Sequence, residues 1–108
     1  MNKVSYIERE FIYKKAINNY GKRAQMLMVV EEMSELTKAI CKLFRASWCS
    51  TPPQENVDAI AEECADVTIM LEQLRIMLDI NDAVCENMDK KIERLKERLE
   101  KVNHDRRI

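Results

Sequence analysis

Apolar residues recur every three or four positions along this chain, and that spacing constrains the fold more than any other feature. Met26, Val29, Val30, Met33, Leu36, Ile40, Leu43 and Phe44 form a stripe about 140° wide when projected on a helix. Ile60, Cys64, Val67, Met70, Leu71, Leu74, Met77 and Leu78 form a second broad stripe. The period-two alternation that a sheet would need is missing. One glycine and two prolines in 108 residues leave few places to turn. The expectation is an all-α fold, a four-helix bundle-type protomer making a single domain over residues 1–108.

Local signals divide the chain into four helices. Ser5-x-x-Glu8 resembles a capping box at the start of a first helix carrying Ile7, Phe11, Ile12, Ala16 and Ile17. Asn18-Asn19-Tyr20-Gly21 supplies a stop, with Gly21 as a left-handed C-cap residue. A second helix is expected from about Lys22 to Arg45. Pro52 and Pro53 exclude helix just before them, and Thr51-x-x-Gln54 offers a capping box for a third helix reaching about Leu78. Asp79-Ile80-Asn81-Asp82 offers N-cap residues for a fourth, on which Val84, Met88, Ile92, Leu95, Leu99 and Val102 recur at helical spacing. The interleaved lysines, arginines and glutamates of that last helix read first as intrahelical ion pairs on a solvated face. The apolar breadth of the second helix exceeds what one neighbour covers, so the core is expected to be completed by homo-oligomerisation, as a dimer or tetramer.

Two acidic patches sit on the middle helices: Glu31-Glu32-Met33-Ser34-Glu35 and Glu62-Glu63-Cys64-Ala65-Asp66. At about 100° per residue, Glu32 and Glu35 lie about 60° apart, as do Glu63 and Asp66, so each pair points the same way. Glu63 falls inside the second apolar stripe and Asp66 on its shoulder, whereas Glu62 points away. Glu32 lies at the edge of the first stripe and Glu35 farther round. A carboxylate facing a core must be paired, protonated or bound to a metal. Four such groups facing one another repel, and a hard divalent cation is the simplest remedy; Mg²⁺ is expected.

Other features exclude more than they assign. The net charge of −1 gives no global field to recruit nucleic acid. No run of eighteen apolar residues is present, so no membrane span is expected. Cys41, Cys49, Cys64 and Cys85 have no metal-binding spacing; they read as reduced thiols of a cytoplasmic protein, with Cys64 in the core. Trp48, on the connection between the middle helices, either packs over a bound base or plugs the core. His104 is expected in a frayed C-terminal tail and carries no role.

The order and spacing of the acids resemble the MazG-like all-α nucleoside triphosphate pyrophosphohydrolases. The likeness is carried by Tyr20-Gly21-Lys22-Arg23-Ala24-Gln25 leading into Val30-Glu31-Glu32-Met33-Ser34-Glu35-Leu36, by Glu62-Glu63-Cys64-Ala65-Asp66-Val67, and by Lys90-Lys91-Ile92-Glu93-Arg94-Leu95. It extends from about residue 12 to 99. The resemblance implies Mg²⁺-dependent hydrolysis of a (deoxy)nucleoside triphosphate to the monophosphate and pyrophosphate, by metal-activated water attack at the α-phosphorus, with Mn²⁺ as a possible substitute. It assigns Glu32, Glu35, Glu63 and Asp66 as metal ligands. Lys91 or Arg94 would stabilise the departing pyrophosphate. Glu31, about 40° from Glu35, is the candidate base or supporting residue, and Gln25, one to two turns before the acids, a candidate to hydrogen-bond substrate. Two other readings stand beside this one: a non-catalytic helical oligomer whose acids form interhelical ion pairs, and hydrolysis of phosphoribosyl-ATP.

Overall fold

Helix-forming sequence with so few interruptions folds as four helices in the computed structural model, which describes residues 3–107 and their side chains over residues 3–105. They are α1 (Tyr6–Tyr20), α2 (Lys22–Arg45), α3 (Gln54–Met77) and α4 (Asn81–Arg107). No strand occurs among the described residues, so the all-α expectation holds. The chain divides into two compact units, Met1–Leu78 and Asp79–Ile108.

Each boundary has a local cause. The Ser5 hydroxyl accepts a hydrogen bond from the Glu8 backbone N–H at 3.1 Å, satisfying one of the orphan donors at the start of α1. Gly21 ends α1 by donating its N–H to the Ile17 carbonyl at 2.8 Å, and begins α2 by accepting from the Gln25 N–H at 3.1 Å. Its φ of 92° and ψ of 150° lie outside the left-handed helical region, in a part of backbone space that only glycine enters cheaply. One residue thus joins two helices. The capping box expected at Thr51 does not form. The N-cap position of α3 is Pro53, with no side-chain bond to the helix end. A cap at Thr51 would require Pro52 to be helical, and the proline that follows it forbids that conformation. The α3–α4 junction passes through Asp79 at φ 51°, a left-handed position that aspartate tolerates.

In the first unit α2 pairs with α3, and α1 leans on both. Tyr13, Val29, Ala39, Met70 and Met77 are the buried apolar residues, and Gln25 and Gln73 the buried polar ones. This core is rotated from the one the apolar stripes imply. α2 presents Gln25, Val29, Leu36, Ala39 and Leu43 inward, while Val30 and Phe44 remain 65% and 83% exposed. On α1 the inward residues are Arg9, Tyr13, Ala16 and Ile17, and Ile7, Phe11 and Ile12 face outward. A polar triad fastens α1 to α3. The Tyr13 hydroxyl donates to Glu72 Oε2 at 2.8 Å, and Arg9 Nε donates to the same oxygen at 3.3 Å. Burial and the hydrogen bond to Glu72 push the Tyr13 hydroxyl above its ordinary pKa.

The second unit is α4, whose Met88, Ile92, Leu95, Leu99 and Val102 are all exposed within it. Cys64 was expected in the core. It is exposed, as are Cys41, Cys49 and Cys85, and all four are free thiols. The reason is the same rotation: the inward side of α3 runs through Glu63, Asp66, Met70, Gln73 and Met77, leaving position 64 at its margin.

Candidate metal centre

Antiparallel pairing of α2 and α3 brings the two acidic patches together. One carboxylate oxygen each from Glu32, Glu63 and Asp66 lies within 4.8 Å of the others. All three side chains are half-buried. Glu63 Oε2 is fully covered and has no hydrogen-bond partner, an arrangement that costs free energy for any carboxylate. Burial first, then the neighbouring charges of Asp66, Glu63, Glu31 and Glu35, holds the Glu32 carboxyl above its ordinary pKa. Burial first, then Asp66, Glu35 and Glu62, does the same for Glu63. Every charge acting on these two groups is another carboxylate. No lysine or arginine pairs with Glu32, Glu63 or Asp66 among the described residues.

Such a site suits a hard divalent ion. Its donors are all oxygen, and octahedral Mg²⁺ bound at about 2.0–2.1 Å needs ligand oxygens roughly 3–4 Å apart, within reach of small side-chain movements from this spacing. The buried oxygen of Glu63 lacks a partner that such an ion would supply.

The remaining residues singled out in the sequence take varied positions. Glu35 is half-buried and outside the three-oxygen cluster; its Oε1 accepts from Lys38 Nζ at 3.3 Å, yet its charge is felt at both Glu32 and Glu63. Glu31 and Glu62 are exposed. Lys91 and Arg94 lie on α4, exposed within that unit. Trp48 is 45% exposed and donates its indole N–H to the Leu43 carbonyl at 3.4 Å, closing the C-terminal end of α2 rather than filling the core. Gln25 is only 7% exposed, and its Nε2 donates to Gln73 Oε1 at 2.8 Å. A direct bond from Gln25 to substrate would require it to leave Gln73. Gln73 itself was not anticipated; a polar residue spaced three from Met70 and four from Met77, on the buried side of α3, is the signal that marks it.

The class these features define is an all-α protein with a carboxylate cluster set between two antiparallel helices. The model of the MazG nucleotide pyrophosphohydrolase domain matches residues 21–99, and the chain belongs to that family. The match begins at Gly21 and runs through both acidic patches into α4, so it spans both compact units. No curated protein and no solved structure matches the chain.

Proposed function

We propose that this protein hydrolyses a (deoxy)nucleoside triphosphate to the monophosphate and pyrophosphate in a Mg²⁺-dependent reaction, with Mn²⁺ as a substitute. The observation that carries the reading is the convergence of Glu32, Glu63 and Asp66, with the buried Oε2 of Glu63 lacking a partner, in a chain of the MazG family. Glu32, Glu63 and Asp66 would hold the ion, and Glu35 would join them on leaving Lys38. When bound, Mg²⁺ screens triphosphate charge, polarises the phosphoryl group and favours deprotonation of water for attack at the α-phosphorus. Glu31, exposed one turn from Glu35, is the proposed base or its support. Lys91 and Arg94 are proposed to meet the charge that develops on pyrophosphate. Gln25 is proposed to hydrogen-bond substrate on release of its amide from Gln73.

The exposed apolar residues of α2, Val30, Met33 and Phe44 among them, and separately those of α4 support a homo-oligomer, dimer or tetramer, as the working form, since contiguous apolar surface is seldom left to water. Light scattering at micromolar concentration that reports a monomer would remove that part. Four free cysteines agree with a reducing, cytoplasmic setting, and no described helix is long and apolar enough to cross a membrane. Interhelical ion pairs, the basis of a non-catalytic helical oligomer, find no support at Glu32 and Glu63, whose shifts come from burial and neighbouring carboxylates among the described residues.

The test is a pyrophosphate-release panel over the common ribo- and deoxyribonucleoside triphosphates and phosphoribosyl-ATP, with Mg²⁺ and with Mn²⁺. Turnover of at least one triphosphate, absent in a chelator and lost in Glu63→Gln with helical circular dichroism intact, is expected. Unchanged turnover in Glu63→Gln would sink the assigned ligand set.

A further inference from the structure

The pairing of α2 and α3 has a register that can be read from residue numbers. Glu32 lies seven residues after Gln25 on α2, and Asp66 seven residues before Gln73 on α3. Seven residues are within about 20° of two full turns and rise about 10.5 Å. The hydrogen-bonded Gln25–Gln73 pair therefore repeats, two turns away and on the same two helix faces, the approach of Glu32 to Asp66. Gln73 Nε2 is in turn anchored 3.7 Å from Met70 Sδ on its own helix.

We infer that the Gln25–Gln73 amide pair acts as a positioning device, locking the axial register of α2 against α3 so that Glu32, Glu63 and Asp66 converge on one ion. The inference rests on the metal-site reading above. The other buried side chains of this interface, Val29, Ala39 and Met70, make contacts without direction, which tolerate sliding. The carboxylates oppose convergence, because in the absence of an ion they repel. Among the described residues of the α2–α3 interface, only the amide pair is both directional and buried: breaking it strands donor and acceptor at 7% and 5% exposure. A slip by one turn, about 5.4 Å, would break that bond and carry Asp66 out of reach of Glu32. A buried polar pair that fixes register in paired helices has this physical logic in general.

The test uses the full chain, metal-free, titrated with Mn²⁺ in a calorimeter beside a thermal melt. The double variant Q25M/Q73M keeps side-chain length and removes the bond. It is expected to melt no lower than the native chain while binding Mn²⁺ at least tenfold more weakly. V29A, which loosens the same interface without touching the amides, should melt lower yet bind Mn²⁺ within threefold of the native chain. Mn²⁺ affinity within threefold in Q25M/Q73M overturns the register role, as does a loss in V29A equal to that in the double variant. If the native chain itself binds no Mn²⁺, the metal-site reading fails, an outcome distinct from native binding that the double variant retains. Should Q25M/Q73M lack helical circular dichroism, Q25M alone is read against the same thresholds.

Discussion

Replacing Glu63 by glutamine should change stability in opposite directions with and without divalent ion. In the metal-free protein the Glu63 carboxylate has a fully covered oxygen without a partner and carboxylate neighbours at Asp66, Glu35 and Glu62. Glu63→Gln keeps the shape and removes one of the repelling charges, so the metal-free melting temperature should stay level or rise. With Mg²⁺ at a hundred times its dissociation constant, ligand linkage stabilises the native protein by about 2.7 kcal/mol. At about 4 °C per kcal/mol for a domain near this size, that is a rise of roughly 10 °C. Loss of one of three clustered carboxylates should weaken binding about tenfold or more, a factor seen even for groups that only support metal ligands. At the same Mg²⁺ concentration the variant then forgoes at least about 5 °C of the gain. Circular dichroism melts of both proteins, in a chelator and across a Mg²⁺ series, read both effects. A variant that melts well below the native chain in the chelator, or gains as much from Mg²⁺, refutes the reasoning.

Three further outcomes are expected. In a chelator, the folded state holds protons on Glu32 and Glu63 above the ordinary carboxyl value of 4.5, because both are shifted upward; stability from these groups is therefore lost as pH rises from that value and recovered on acidification toward it. The melting-temperature gap between Glu63→Gln and the native chain should narrow from pH 7 to pH 5, and a gap that widens contradicts the assignment. Tyr13→Phe removes a 2.8 Å bond to Glu72, leaving Arg9 on that carboxylate; about 1.5 kcal/mol, or roughly 6 °C, should be lost in a thermal melt. Gly21→Ala meets no atom within 4 Å of its new Cβ but must adopt φ 92°; about 1–3 kcal/mol of destabilisation by urea titration is expected from backbone strain alone, with unchanged helicity.

Much of this molecule was legible in its sequence because helices declare themselves locally. The Ser5 cap, the break at Gly21, and the limits of α2 follow from capping chemistry and from residues that cannot continue a helix, whereas α4 runs on through His104, where the sequence predicts a frayed tail. The acidic patches were legible for a related reason: spacing within a helix fixes which carboxylates share a face. Which face turns toward a neighbour is not local. The stripe through Val30, Met33, Ile40 and Phe44 was as good a candidate for burial as the one through Val29 and Ala39, and only the partner helix decides between them. That undecided rotation also placed Cys64 in the core on paper and at the surface in the fold. Thr51-x-x-Gln54 matches a capping motif, but the restriction that Pro53 puts on Pro52 keeps that cap from forming. Gln25 stands out by its place before the acids, but its partner Gln73 lies 48 residues away, and no periodicity in one helix reports a bond to another.

The most direct test of the central claim is to let the protein act on a turned-over nucleoside triphosphate in ¹⁸O-labelled water, with Mg²⁺ or with a chelator, and follow products by ³¹P NMR. Monophosphate carrying the label, with unlabelled pyrophosphate, in Mg²⁺ alone and not with Glu63→Gln, is the outcome expected. Diphosphate and inorganic phosphate as products, or equal turnover in the chelator, would contradict the assignment of the cluster as the centre of a pyrophosphohydrolase.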